Sequence, residues 1–184
     1  RMILLVIVGT LPLFAILRIK DWIESLSSNL YVVGGALIVT GCLLFASDRV
    51  RKGRKNEHSA RMTDALIVGA AQALATCPGL SRSGTTIAAC LMSGYDRRFA
   101  VRYSFIMSIP AILGAAVLEI KDLGSEAITG GIVLNGLIGA IVAGCVGYVC
   151  IKTMLTVVRK KKFMGFAIYC FAVGVIAIIA NFLV

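Results

Sequence analysis

The sequence predicts an all-α protein, a polytopic membrane helical bundle with one re-entrant helix–loop–helix. Three observations carry that expectation. Hydrophobic residues make up 59% of the 184 and charged residues only 15%, whereas a soluble domain has about a quarter charged and less than half apolar. Five apolar runs approach the roughly 20 residues needed to cross a bilayer core of about 30 Å. The net charge of +10 sits in short segments between those runs. Such placement reads as the cytoplasmic marking of a membrane protein, and it argues against a nucleic-acid partner. At this length the chain is expected to be a single integral-membrane domain, 1–184.

The apolar runs are 2–18, 31–47, 99–120, 128–151 and 163–184, and the last carries no charge. Between them, "DRVRKGRKNEHSAR" (48–61) holds six Lys/Arg and "KTMLTVVRKKK" (152–162) holds five, which places both inside. The stretch "YDRRFAVR" (95–102) prefers the same side, whereas "KDLGSEA" (121–127), with one lysine against two acids, belongs outside. These assignments agree only if 63–94 leaves and returns on one side. Its arms, "DALIVGAAQALATC" and "TIAACLMSG", would extend only about 21 Å and 14 Å as helices. We therefore expect a re-entrant hairpin over 63–94, entering from the cytoplasm and turning near the midplane.

The tip of that hairpin, "PGLSRSGTT", is where chemistry is expected. Non-helical backbone at membrane depth needs a protein or water-lined setting. Pro78 stops the first arm, and Gly79 and Gly84 permit tight backbone geometry. An arginine at that depth marks a functional site by default. Arg82 offers a planar fork that matches phosphate oxygens. Ser81, Ser83, Thr85 and Thr86 add hydroxyls, and the second arm's N-terminus points its free N–H groups back at the same spot. The competing reading is that Arg82 pairs with a buried carboxylate or with helix-end carbonyls, and that the hydroxyls are plain caps.

The run "GAAQALATCPGLSRSGTTI" (69–87) resembles the second signature of the undecaprenyl-diphosphatase family, the bacitracin-resistance lipid phosphatases of bacterial membranes. Gly69, Gln72, Ala75, Pro78, Gly79, Ser81, Arg82, Ser83, Gly84 and Thr86 meet its fixed positions. The resemblance continues through "FAVRYSFIMSIPAILGAAVLEI" and "FMGFAIYCFAVGVIAIIA". It implies two inverted repeats meeting at the midplane, of which this chain carries one hairpin. It also implies hydrolysis of undecaprenyl diphosphate to the monophosphate and inorganic phosphate in the bacterial cytoplasmic membrane. Arg82, Ser81 and Ser83 would then be catalytic, and Gln72, Gly79, Gly84, Thr85 and Thr86 would bind substrate. A divalent cation, Mg²⁺ or Ca²⁺, is implied as well. Its ligands belong to the family's first signature, a glutamate pair before a Ser-Ser-Thr-Gly-His stretch, which this chain lacks. With Arg1 followed directly by "MILLVIV" and no leader, the chain is expected to be N-terminally incomplete. A second function class, a carrier or flippase for a lipid phosphate or phosphate anion, remains open from the residues alone, because fixed donors without a nucleophile suit binding.

The remaining features read as architecture. No metal site is expected from the chain's own residues: His58, the only histidine, lies in the basic loop, and the six cysteines show no paired spacing. "GLIGAIVAGCVG" (136–147) aligns Gly139, Ala143 and Gly147 for close helix packing, a homodimer contact included. Gln72 suits either a phosphate oxygen or an interhelical bond. Pro110 should kink its helix. Glu119, Asp122 and Glu126 are expected to be solvated on the outer loop.

Overall fold

The computed structural model describes residues 1–50, 53–122, 130–159 and 163–183. These form α1 (Met2–Ile16), α2 (Lys20–Ser25), α3 (Leu30–Arg49), α4 (Met62–Leu74), α5 (Arg82–Met92), α6 (Arg97–Asp122), α7 (Gly130–Arg159) and α8 (Met164–Leu183). Short 3₁₀ turns flank α2. No extended sheet forms among the described residues; the single bridge joins Lys55 to Tyr95.

Among the described residues, four helical stretches are long and apolar enough to cross a membrane: Leu30–Arg49, Arg97–Leu118, Leu134–Thr153 and Met164–Phe182. The protein is therefore a multi-pass membrane protein. The fifth expected run ends early. α1 closes at Ile16 after 15 residues, because the chain tightens into the 3₁₀ turn Leu17–Ile19. The basic stretch expected to be a loop from 152 is helical as far as Arg159. Residues 123–127 of the outer segment, Glu126 among them, and Lys160–Lys162 lie outside the described residues, as do the side chains of Glu119 and Asp122.

The hairpin arms are as short as their sequence implies. α4 has 13 residues and α5 has 11, about 20 Å and 17 Å of helix. Asp64 sits in the first turn of α4 and accepts the Arg61 N–H at 3.1 Å, where a carboxylate complements the helix dipole. α5 ends at Met92, and the turn that follows passes through Gly94, whose φ of +84° suits a residue without Cβ.

The two ends of the hairpin base are tied together. Lys55 N–H donates to Gly94 O at 3.0 Å, and Asp96 N–H donates to Lys55 O at 2.9 Å. The Lys55 ammonium meanwhile grips Asp64 at 2.8 and 3.0 Å. The chain thus enters α4 and leaves α5 at one end of the molecule. Other contacts gather at that end. Arg1 donates to Ala60 O at 3.1 Å. Arg97 lies 3.6 Å from Asp48 and donates to Ser47 O. Asp48 also accepts the Met164 N–H, at 3.0 Å. The starts of α1, α4, α6 and α8 and the end of α3 therefore share the basic end, as charge patterning requires.

Close helix crossings are made at glycines. α1 meets α4 where Gly69 abuts the Gly9 backbone, and α3 meets α8 where a Cβ on Gly34 would lie 2.8 Å from Gly174 O. Tyr103 of α6 spans to α1, donating to Leu5 O at 2.7 Å. α7 is different. Among the described residues its main helix neighbour is α6, and no residue of its span Leu134–Thr153 is buried. The small-residue face of α7 thus packs on no helix of this chain in the described structure.

Overpacking a close-packed site costs about 1–3 kcal/mol. Gly69→Val should therefore lower the thermal unfolding temperature in detergent, whereas Gly139→Val, with nothing within 4 Å, should leave it unchanged.

Candidate active site at the hairpin tip

The tip, residues 75–81, turns between the two short helices by local bonds. Ala75 N–H reaches Ala71 O, Cys77 N–H reaches Leu74 O, and Leu80 N–H reaches Cys77 O. Gly79 holds φ at +90° and presses against Val33 O of α3, so this glycine serves both the turn and the close approach. Ser81 is the N-cap of α5, its Oγ accepting the Gly84 N–H at 3.2 Å. Thr40 of α3, completely buried, accepts the Ser81 N–H at 3.1 Å. A Cβ on Gly84 would lie 3.0 Å from Ser81 Oγ, so glycine keeps the cap open.

Arg82 is the first residue of α5. Its side chain lines a cavity of about 490 Å³ together with Thr10, Phe14, Thr76, Pro110 and Gly114. The other lining residues are aliphatic or alanine, so Arg82, Thr10 and Thr76 are the polar residues of a greasy chamber. Among the described residues the guanidinium makes no hydrogen bond and no ion pair. The carboxylates of Asp48 and Asp64 are engaged at the basic end. The alternative raised by the sequence, an arginine neutralised by a buried carboxylate, is thus not found among the described residues. The N–H groups of Arg82 and Ser83 are first-turn groups without an intrahelical acceptor, and they add donors beside the guanidinium.

The other expected site residues divide by their surroundings. Ser81 Oγ is occupied as a cap, and Ser83 Oγ is half-exposed with no partner among the described residues. Thr86 is 1% exposed; its hydroxyl donates toward Arg82 O at 2.9 Å, with Ser83 O at 3.2 Å. It also lies 2.6 Å from Ser104 Oγ. Gln72 is 0% exposed, and neither of its amide atoms has a partner; the Thr85 hydroxyl is likewise buried and unpaired. Gly79 and Gly84 shape the turn and the cap. Thr10, Thr76, Thr40 and Ser104 carry no signal in the sequence that marks them for the site. Thr10 and Ser104 look like ordinary polar residues of apolar helices, and only their positions across the bundle connect them to Arg82. Pro110, expected as a kink, is part of the cavity wall.

A divalent cation does not fit this donor set. Among the described residues no group of three His, Cys, Asp or Glu could hold one. The tip offers a cation, hydroxyls and amides, which are groups that receive an anion.

Comparison with known proteins identifies the family. The model of the bacitracin resistance protein BacA family matches residues 1–176. The chain belongs to that family. An undecaprenyl-diphosphatase of Methanothermobacter thermautotrophicus is 42% identical over 181 residues, covering 96% of this chain and 98% of the relative. Those of Halothermothrix orenii and Desulforapulum autotrophicum are 42% and 41% identical, covering 96% and 99% of this chain and 68% and 66% of their own length. The chain thus spans nearly all of one relative and about two thirds of the other two.

Losing a serine N-cap costs about 1 kcal/mol. Ser81→Ala should lower unfolding stability in detergent by that order, and Gly79→Ala by more, because its backbone angle and the Val33 carbonyl both oppose a Cβ.

Proposed function

We propose that this chain hydrolyses undecaprenyl diphosphate to undecaprenyl phosphate and inorganic phosphate in the bacterial cytoplasmic membrane. That reaction recycles the lipid carrier of cell-wall synthesis and counters bacitracin. The observation that carries the reading is the unpaired Arg82 guanidinium at the polar end of an apolar cavity. An unpaired charge in such a setting is expensive, and an anion attached to a hydrocarbon chain satisfies both halves of the site at once. Family membership and the names of the relatives point to the same activity.

In this reading 63–94 is a re-entrant hairpin, its arms too short to cross and its base tied at the basic end. The cavity walls come from the C-terminal halves of α1 and α6, whose starts lie at the basic end. The chamber therefore opens away from the cytoplasm if basic segments lie inside. The lipid's first prenyl units would lie along Leu13, Phe14 and Leu113, and its diphosphate would meet Arg82. The fork of Arg82 holds non-bridging oxygens of the terminal phosphoryl, and the first-turn N–H groups of α5 and the Ser83 hydroxyl supply further donors. As the anhydride P–O bond breaks, its electron pair leaves with the lipid monophosphate oxygen. The phosphoryl passes to a water oxygen, and the net products are lipid monophosphate and inorganic phosphate. Arg82 offsets the charge spreading over the oxygens, the kind of positioning and electrostatics on which phosphoryl transfer depends. Gln72 and Thr85, buried and unpaired, hold further hydrogen-bonding capacity close behind the tip. The homodimer expected from the α7 stripe rests on that stripe alone.

Three measurements test the proposal. Arg82→Lys keeps the charge but loses the fork, and should cut phosphate release from undecaprenyl diphosphate by about 10²-fold or more while the protein still inserts; near-parental turnover rejects the clamp. A vesicle assay showing lipid-phosphate transport without phosphate release would favour a carrier instead. Gly114→Trp fills the cavity where glycine has nothing within 4 Å, and should raise KM for the lipid substrate about tenfold with the fold intact.

A further inference from the structure

We propose that Ser104, acting through Thr86, is a positioning residue that aims Arg82 at the phosphoryl group. The inference rests on the reading of Arg82 as the phosphoryl clamp. Ser104 lies on α6 and Thr86 on α5, and their hydroxyl oxygens are 2.6 Å apart. Both residues are buried, at 3% and 1% exposure, and neither lines the cavity.

The direction of the bond follows from counting hydrogens. Thr86 has one hydroxyl hydrogen, and carbonyls of the first turn, Arg82 O at 2.9 Å and Ser83 O at 3.2 Å, receive it. No carbonyl accepts from Ser104 among the described residues, so Ser104 is left to donate to Thr86. The result is a relay running Ser104 O–H to Thr86 O–H to the Arg82 carbonyl. Each bond in such a chain polarises the next. The relay tethers the first turn of α5 to α6. Thr40 tethers the residue just before that turn, Ser81, to α3. With the backbone of residues 81–82 held from two sides, the direction in which the Arg82 side chain leaves the helix is set.

Packing alone does not call for these hydroxyls. A buried pair of apolar side chains would fill the same space without desolvating polar atoms. Ser108, one turn further along α6, satisfies its own hydroxyl on Phe105 O at 2.7 Å and reaches no other helix. α6 also carries Ala111, Gly114 and Leu118 of the cavity wall. One helix thereby fixes both the lipid-side wall and, through Ser104, the heading of the guanidinium.

The test uses the full chain in detergent micelles with undecaprenyl diphosphate, following phosphate release per folded protein. Ser104→Ala should lower kcat about tenfold with KM within about twofold, since the lost contact acts on the transition state and leaves the tail site alone. Thr86→Val should lose a similar factor, and the Ser104→Ala/Thr86→Val double variant should be no worse than Thr86→Val, as expected for two members of one relay. Ser104→Thr, which keeps the hydroxyl, should recover most of kcat, and Ser108→Ala should match the parent. If Ser104→Ala fails to insert, Thr86→Val against Thr86→Ser reads the same relay from its other member. Parental kcat in Ser104→Ala, an equal loss in Ser108→Ala, or fully additive losses in the double variant would overturn the inference while leaving the activity standing. A parent protein that releases no phosphate would remove the activity reading, and this inference with it.

Discussion

A guanidinium with no partner among the described residues, half-buried against hydrocarbon, is the constraint around which the rest of this structure is arranged. Fork-shaped donors in a low-dielectric setting interact far more strongly than in water, but only while something holds them in place. The holding is done by neutral groups. Ser81 caps the helix that presents Arg82, Thr40 anchors the cap residue to α3, and Thr86 and Ser104 brace the first turn against α6. Among the described residues, the carboxylates of Asp48 and Asp64 are held at the far end with Arg97 and Lys55.

Short helices are what make such a site possible inside a membrane protein. A spanning helix has both termini in water, where its unsatisfied backbone groups are solvated. α5 starts at the turn of the hairpin, and its first residue, Arg82, lines the cavity. The turn that brings the chain to that point is secured by Gly79, pressed on the Val33 carbonyl. At the base, the Lys55 bonds to Gly94, Asp96 and Asp64 close the hairpin like a clasp. Site and scaffold therefore share one device: a hairpin whose base is electrostatically tied and whose tip carries the uncompensated charge.

Burial separates the hydroxyl and amide groups of the signature into distinct tasks. Ser81 and Thr86, which look equivalent to Ser83 in the sequence, spend their oxygens on the backbone. Ser83 keeps its hydroxyl unpaired, while Gln72 and Thr85 are enclosed without partners. A signature can thus contain both the groups that meet a phosphate and the groups that hold those groups still, and residue type alone does not distinguish them.

Composition, hydrophobic period and charge let the sequence by itself determine the membrane class, the short hairpin with Arg82 at its turn, and which loops share the basic end. Hydropathy and the placement of Lys and Arg are local properties, so no knowledge of packing is needed to read them. The lengths of the two apolar arms likewise limited α4 and α5 to 13 and 11 residues. Tertiary structure decided the remainder. α1 stops at Ile16, and α7 runs to Arg159 on the outside of the bundle. Arg82 meets no carboxylate, Pro110 lines a chamber, and Thr40 and Ser104 reach across from other helices. These depend on which distant faces pack together, and an isolated serine in an apolar helix carries no sign of its partner until the helices are side by side.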